Sequence, residues 1–311
     1  MKQPAFEWYY IDAHCQGGYD IVFTLHTLPF MSVFDIVIWD LFVYKENRPY
    51  LHRFSTHPQN RLQRQNNPLL LQSDGQNYLR HEKNGIRLFF KEKDIELWLR
   101  LKQSKPIYYS TEKNLLPHSE TNTYFNWTVF TPLSEAEGQL HEGSHTVSLQ
   151  GIGYHDYNAG NIFLKKELKR WQWNKLYFGN RLLIIGNIED REGNTKLISA
   201  ISADGSLRWA THIKIEKKQS EIRYDIDDET FVFKEIKSYG IDDIRFFTCA
   251  PERKDRWSAK MRELIAYYSI INPLLKPIRA ITTNVRYKRF RSEGILNGRT
   301  NCQIFYEEMY F

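Results

Sequence analysis

Apolar positions along this chain recur mostly with the two-residue period of a β-strand. Ile95, Leu97, Leu99 and Leu101 alternate with charged or aromatic residues, the pattern of a half-buried strand. Similar runs cover 7–14, 19–28, 69–72, 76–81 and 86–91. They are separated by the turn signals Gln16-Gly17-Gly18, Ser73-Asp74-Gly75 and Lys83-Asn84-Gly85. Residues 33–44 are apolar on both faces, as in a strand covered on each side. Residues 104–122 carry Pro106 and Pro117 among polar side chains and read as a loop. Strands at 123–130 and 146–151 lead to the chain's midpoint. The strand pattern then restarts at 176–188, 195–203, 207–215, 222–226, 230–239 and 243–248, with no evident sequence repeat between the halves. So many short strands predict an up-and-down barrel or a sandwich, and no parallel α/β sheet.

One segment breaks this rhythm. Trp257, Met261, Leu264, Ile265, Tyr268, Ile271 and Leu275 recur at intervals of three and four, which predicts an amphipathic helix near 257–275, ended or kinked by Pro273 and Pro277. Closing strands are expected at 285–289 and 303–309.

Charge singles out the same region. From Pro251 to Arg291, eleven Lys and Arg stand against three acidic residues, a local charge of +8 in a chain of +6, which leaves the remainder at −2. A basic amphipathic helix of this kind suits either an anionic membrane surface, through 253–279, or a barrel wall with its charges solvated. The alternation of basic and aromatic residues at 286–291 suits phosphate, but no nucleic-acid module accompanies it, so nucleic acid is not an expected partner.

The 311 residues suffice for two domains, and an aromatic content of 15% favours strands and pockets walled by flat rings. Cys15, Cys249 and Cys302 have neither disulfide nor zinc spacing, which suits a reducing, cytoplasmic setting. The N-terminus lacks an apolar signal core, and residues 33–44 are too short and too often acidic to span a bilayer, so a soluble protein, or one peripheral on the inner membrane face, is expected.

Candidate chemistry concentrates at 149–160, Leu-Gln-Gly-Ile-Gly-Tyr-His-Asp-Tyr-Asn-Ala-Gly. On a strand, His155 and Tyr157 share one face, while Tyr154, Asp156 and Asn158 share the other. A buried Asp has a raised pKa and can donate a proton, and protonating a C=C bond needs such an acid among apolar walls. A His–Asp–Asn network that merely rigidifies the fold is the other reading. Gly151-Ile152-Gly153 begins like a dinucleotide fingerprint, but Asp156 stands at the third glycine position and no βαβ context surrounds it. His141, His145 and His155 lack a completing carboxylate or Cys, so no metal is expected.

The stretch Gly151, Gly153, Tyr154, His155, Asp156, Asn158, Gly160 resembles the motif of the carotenoid 1,2-hydratase, or hydroxyneurosporene synthase, family. AttH-type proteins, tocopherol cyclase and fungal decalin-forming Diels-Alderases look like its relatives. Glu7-Trp8-Tyr9-Tyr10, Pro132, Gly138-Gln139-Leu140, Trp171 and Trp173 extend the resemblance. Two motif positions depart from it: Tyr157 stands for the family's second His and Ala159 for its Trp. Ile184-Ile185-Gly186 occupies the place of a Tyr-x-Asp pair in the hydratases.

The resemblance implies an all-β fold of two tandem lipocalin-like antiparallel β-barrel domains, 1–165 and 166–311, with an apolar cavity near their junction. It implies a cofactor-independent enzyme acting on a polyene or terpenoid-like lipid by hydration, by cyclisation, or by shape-driven pericyclic closure. Asp156 would be the catalytic acid with His155 and Tyr157 as partners. Trp8, Tyr10, Trp127, Tyr154, Asn158, Trp171 and Trp173 would bind the substrate, although an aromatic run such as Glu7-Trp8-Tyr9-Tyr10 more often plugs a barrel end. The departures weigh towards cyclisation or closure rather than hydration. A non-catalytic pigment or lipid carrier is the alternative from a different class.

Overall fold

The computed structural model describes residues 4, 6–28, 36–103, 110–112, 114–117, 123–162, 164–203, 206–219, 221–246 and 285–311. The expected helix at 257–275, and with it the basic segment 253–279, lies outside the described residues.

The first sheet contains β1 (Phe6–Cys15), β2 (Tyr19–Leu28), β3 (Ile36–Lys45), β4 (Arg48–Pro58), β5 (Leu62–Asn66), β6 (Leu69–Ser73), β7 (Asn77–Glu82), β8 (Gly85–Glu92), β9 (Ile95–Lys102), β10 (Ser110–Glu112), β11 (Phe125–Glu142) and β12 (His145–Gly160). The short helix α1 (Leu164–Glu167) follows. The second sheet contains β13 (Leu168–Phe178), β14 (Arg181–Asp190), β15 (Thr195–Ala203), β16 (Ser206–Trp209), β17 (Ile213–Lys218), β18 (Glu221–Ile226), β19 (Glu229–Phe246), β20 (Val285–Leu296) and β21 (Thr300–Tyr310).

Both sheets follow one plan. Each is an antiparallel meander whose first and last strands pair, β1 with β12 and β13 with β21. Apart from β10, which pairs only with β11, each keeps one seam between consecutive strands, at β4/β5 and at β16/β17, where the described residues form no ladder. This is the all-β, tandem barrel architecture expected from the sequence. The turn at 16–18 forms as expected, with Gly17 and Gly18 at φ of 73° and 75°, a region open to glycine at little cost. Several differences are local. The expected strands 176–188 and 207–215 are each divided, the first into the end of β13 and β14, the second into β16 and β17, while those at 230–239 and 243–248 are continuous in β19. β4 and β5 are additional to the expected strands. Residues 110–112, inside the expected loop, form β10 on the edge of β11. β11 and β12 run to 18 and 16 residues, well beyond their apolar cores, because each pairs with a neighbour along its whole length.

Alternation decides what each face covers. Ile95, Leu97, Leu99 and Leu101 point into the first barrel, where Tyr9, Ile11, Phe23, Trp39 and Phe90 fill the interior. Leu183, Ile185, Phe231 and Phe233 fill the second. β1 is buried on both faces, since Phe6 and Trp8 point outwards into a third apolar cluster with Trp127, Tyr154, Trp171 and Trp173. The sheets therefore pack outer face against outer face, and fully burying each large apolar side chain there contributes roughly 1.5–3 kcal/mol. Close pairing of β1 with β12 depends on Gly151, because a Cβ at that position would stand 1.9 Å from the His14 carbonyl oxygen.

Candidate functional site

Strand alternation sends the central motif in two directions. Asp156 and Asn158 face outwards and line a cleft between the sheets, with about 100 Å³ of room. Trp8 and Tyr10 of β1, Thr24 and His26 of β2, and Asp40 and Phe42 of β3 complete that wall. The opposite wall is the outer face of the second sheet: Trp171 and Trp173 of β13, Tyr287 and Arg289 of β20, and Glu307 and Met309 of β21.

Asp156 is 3% exposed and holds three hydrogen bonds. Its Oδ2 accepts from the Tyr154 hydroxyl at 2.7 Å and the Trp127 indole at 2.9 Å, and its Oδ1 accepts from the Asn158 amide at 3.1 Å. Burial pushes its carboxyl up to about 7, while the three donors work in the other direction. The result is an acid that is half protonated near neutral pH, on the wall of an aromatic cleft. Tyr154 and Trp127 do not line the cleft; they brace Asp156 from behind. The Trp127 ring meets Trp173 of the opposite sheet with centroids 3.6 Å apart.

The other two residues expected beside this acid are elsewhere. His155 and Tyr157 point into the first barrel and do not touch Asp156, as adjacent strand positions must face apart. His155 Nδ1 lies 2.7 Å from the Tyr10 carbonyl, which can only accept, so Nδ1 carries the proton. Its Nε2 must then accept from His81 Nε2 at 3.1 Å. Burial holds His155 well below the usual histidine range and His81 at about 4, so both stay neutral. Tyr157 donates to Glu7 Oε1 at 2.5 Å, and Arg64 grips the same carboxylate at 2.7 and 3.0 Å. Glu7 and Tyr9 share this inward face, while Trp8 and Tyr10 reach the cleft. The 7–10 run thus both fills the barrel and lines the cleft. His141 Nδ1 lies 2.9 Å from the Thr146 hydroxyl.

A buried polar cluster adjoins the cleft. Lys175 of β13 forms an ion pair with Asp12 of β1, both side chains 1% exposed. The Lys175 ammonium lies over the Tyr10 and Tyr154 rings, 4.8 and 4.5 Å from their centroids, and burial lowers its pKa. The Tyr10 hydroxyl is 2.9 Å from Asp12 Oδ2 and 3.0 Å from Glu307 Oε1, and its single proton serves one at a time. Arg289 donates to Glu307 at 3.2 Å and to Tyr44, with its guanidinium over Phe42, Tyr44 and Tyr287.

Sequence reading missed Lys175, Arg289 and Glu307. Arg289 sits in the 286–291 run that looked like a solvated phosphate-binding stretch, yet it is 6% exposed. The available signal was the alternation in that run, which sends Tyr287 and Arg289 to one face. Among the described residues, no helix is long and apolar enough to cross a membrane.

Comparison with known proteins agrees with this fold. No curated protein sequence matches the chain. Among solved structures, an AttH protein from Nitrosomonas europaea has a TM-score of 0.61 at 13% identity, covering 98% of this chain and 92% of its own. CghA, solved also with Sch210972, has a TM-score of 0.62 at 9% identity, covering 99% of this chain and 88% of its own. Kievitone hydratase from Nectria haematococca has a TM-score of 0.53 at 8% identity, covering 99% and 89%. At such identities the likeness is one of fold, and it extends over the whole two-sheet chain. Residues 109–232, which include the central motif and both cleft tryptophans of β13, match the family model of the carotenoid hydratase CrtC, the family that the motif resembles.

Proposed function

We propose that this protein is a hydratase or cyclase that protonates a C=C bond of a polyene or terpenoid-like lipid held between the two sheets. The observation that carries this reading is Asp156, a buried carboxyl raised to about 7 on the wall of an aromatic cleft. An acid with that pKa is substantially protonated at neutral pH and ionises readily after giving up its proton. Trp127, Tyr154 and Asn158 stabilise the carboxylate that remains, because all three already donate to it.

Protonation of an alkene carbon leaves a carbocation on its neighbour. Trp8, Trp171, Trp173 and Phe42 line the same cleft, and a cation over an aromatic face is stabilised by roughly 0.5–2 kcal/mol. Water capturing the cation gives hydration; a nucleophile within the substrate gives cyclisation. The family match supports the hydratase side, while Tyr157, Ala159 and Gly186 at the family's other motif positions support cyclisation. The overall change is redox-neutral, and cofactor-independent turnover is part of this proposal.

The test is incubation of the protein with an acyclic carotenoid in detergent micelles in D2O, followed by mass spectrometry. The expected product carries one carbon-bound deuterium, together with added water for hydration or with unchanged composition for cyclisation. Binding without deuterium incorporation would sink the acid mechanism and leave the carrier reading.

A further inference from the structure

Three carboxylates line the cleft: Asp40, Asp156 and Glu307. The reaction proposed above uses one of them to give a proton. It also needs a group to take one up, because water or a substrate nucleophile sheds a proton when it captures the cation. Resting on that reading, we infer that Glu307 is this acceptor, a second catalytic residue supplied by the second sheet.

Placement favours Glu307. In the ladders of β13, β21 and β20, Trp173 stands opposite Glu307 and Glu307 opposite Arg289, so the three share one face, and all three line the cleft. Trp173 packs on Trp127, whose indole donates to Asp156. The two carboxyls thus flank one aromatic contact across the cleft, and the Glu307 charge is among the influences that raise Asp156. The Glu307 side chain is 16% exposed, against 8% for Asp40, which is held by His52 Nε2 at 2.6 Å.

Charged and titratable groups from both sheets surround Glu307. Arg289 and Tyr287 face it from β20, Lys175 and Tyr177 from β13, Tyr10 and His14 from β1, and Asp156 from β12. Arg289 and Tyr10 fix the orientation of its carboxylate. The proton balance closes: the Asp156 O–H bond breaks as a substrate C–H bond forms. The nucleophile then bonds to the cation, and its proton passes to Glu307. Glu307 returns a proton to Asp156 through solvent, with no electron gained or lost.

The experiment uses the full-length protein with an acyclic carotenoid as probe. Glu307→Gln is expected to lower kcat by roughly 100-fold or more while the probe's Kd, read by tryptophan quenching, moves by less than about threefold. Added formate should restore part of the rate to Glu307→Ala, which also serves if the Gln variant does not fold. A merely structural partner of Arg289 would lose stability and show no formate rescue. A rate within about threefold of wild type, or a loss with no formate rescue, overturns the assignment. Loss of activity in Asp156→Asn alongside a fully active Glu307→Gln would overturn only this inference. A fully active Asp156→Asn, or a wild type that never turns over the probe, overturns the underlying reading as well.

Discussion

Lys175 of the second sheet and Asp12 of the first form an ion pair with both side chains almost fully enclosed, and it ties the two barrels together beside the cleft. Removing one member of a buried pair leaves the other charge without compensation, at a cost of about 3–5 kcal/mol. Lys175→Met should therefore destabilise the protein by about 3 kcal/mol or more in urea unfolding. Adding Asp12→Leu should recover much of the loss, because no lone charge remains. Losses that simply add would show that the two groups are not energetically coupled.

Asp156→Asn keeps the shape of the side chain and removes the proton donor. Turnover of an acyclic carotenoid should fall by roughly 100- to 10,000-fold with binding nearly unchanged. Rate and affinity are to be measured on one preparation. Full activity in the variant would leave cleft shape as the source of any catalysis.

The same carboxyl makes a claim about stability. Its pKa rises from 3.8 unfolded to about 7 folded, so between those values the unfolded chain has lost a proton that the folded chain retains. The contribution of Asp156 to stability is therefore greatest below about pH 4, falls as pH rises towards 7 and is level above it. Three pKa units correspond to a change on the order of 4 kcal/mol. Asp156→Asn lacks this penalty, so its stability relative to wild type should improve by up to that amount between pH 4 and pH 8. Urea midpoints at the two pH values measure it, and a constant difference would contradict the raised pKa.

Tyr157 faces the interior of the first barrel, away from the acid. Tyr157→Phe removes its bond to Glu7 and leaves Arg64 on that carboxylate. A stability loss of about 1–2 kcal/mol with turnover unchanged is expected. Thermal denaturation and the rate assay together check this. A tenfold or greater rate loss without destabilisation would bring Tyr157 back into the chemistry.

β1, β2 and β6 to β9 of the first sheet were legible because Gly17-Gly18, Asp74-Gly75 and the 95–101 alternation each carry their own local cause, whereas β4 and β5 are largely exposed and lack such alternation. The split of 154–158 into two faces was legible for the same reason. Which face meets the cleft was not. β1 and β12 bury both sides, one in a barrel and one against the other sheet, so aromatic residues appear on each and polarity gives no direction. Lys175 reads as an ordinary surface lysine until Asp12, far away in sequence, is placed against it. Glu307 is one of two adjacent acids in β21, and only the ladder to Trp173 gives it a site. The shared plan of the halves was invisible for a related reason: it resides in strand pairing, which different residues satisfy equally well.

The pairing of first strand with last has a practical consequence. The described strands of one sheet end at Gly160 and those of the other begin at Leu168, so the polypeptide crosses between them once. A cut in that short span would divide the gene into two pieces, each topologically complete, with its own ends already side by side. One piece would hold Asp156 and no facing wall; the other would hold Glu307 and the tryptophans of β13. Co-expression of the two pieces would then act as a complementation system in which activity reports reassembly. Shuffling second pieces from different relatives against a fixed first piece would redraw the cleft while leaving its acid untouched.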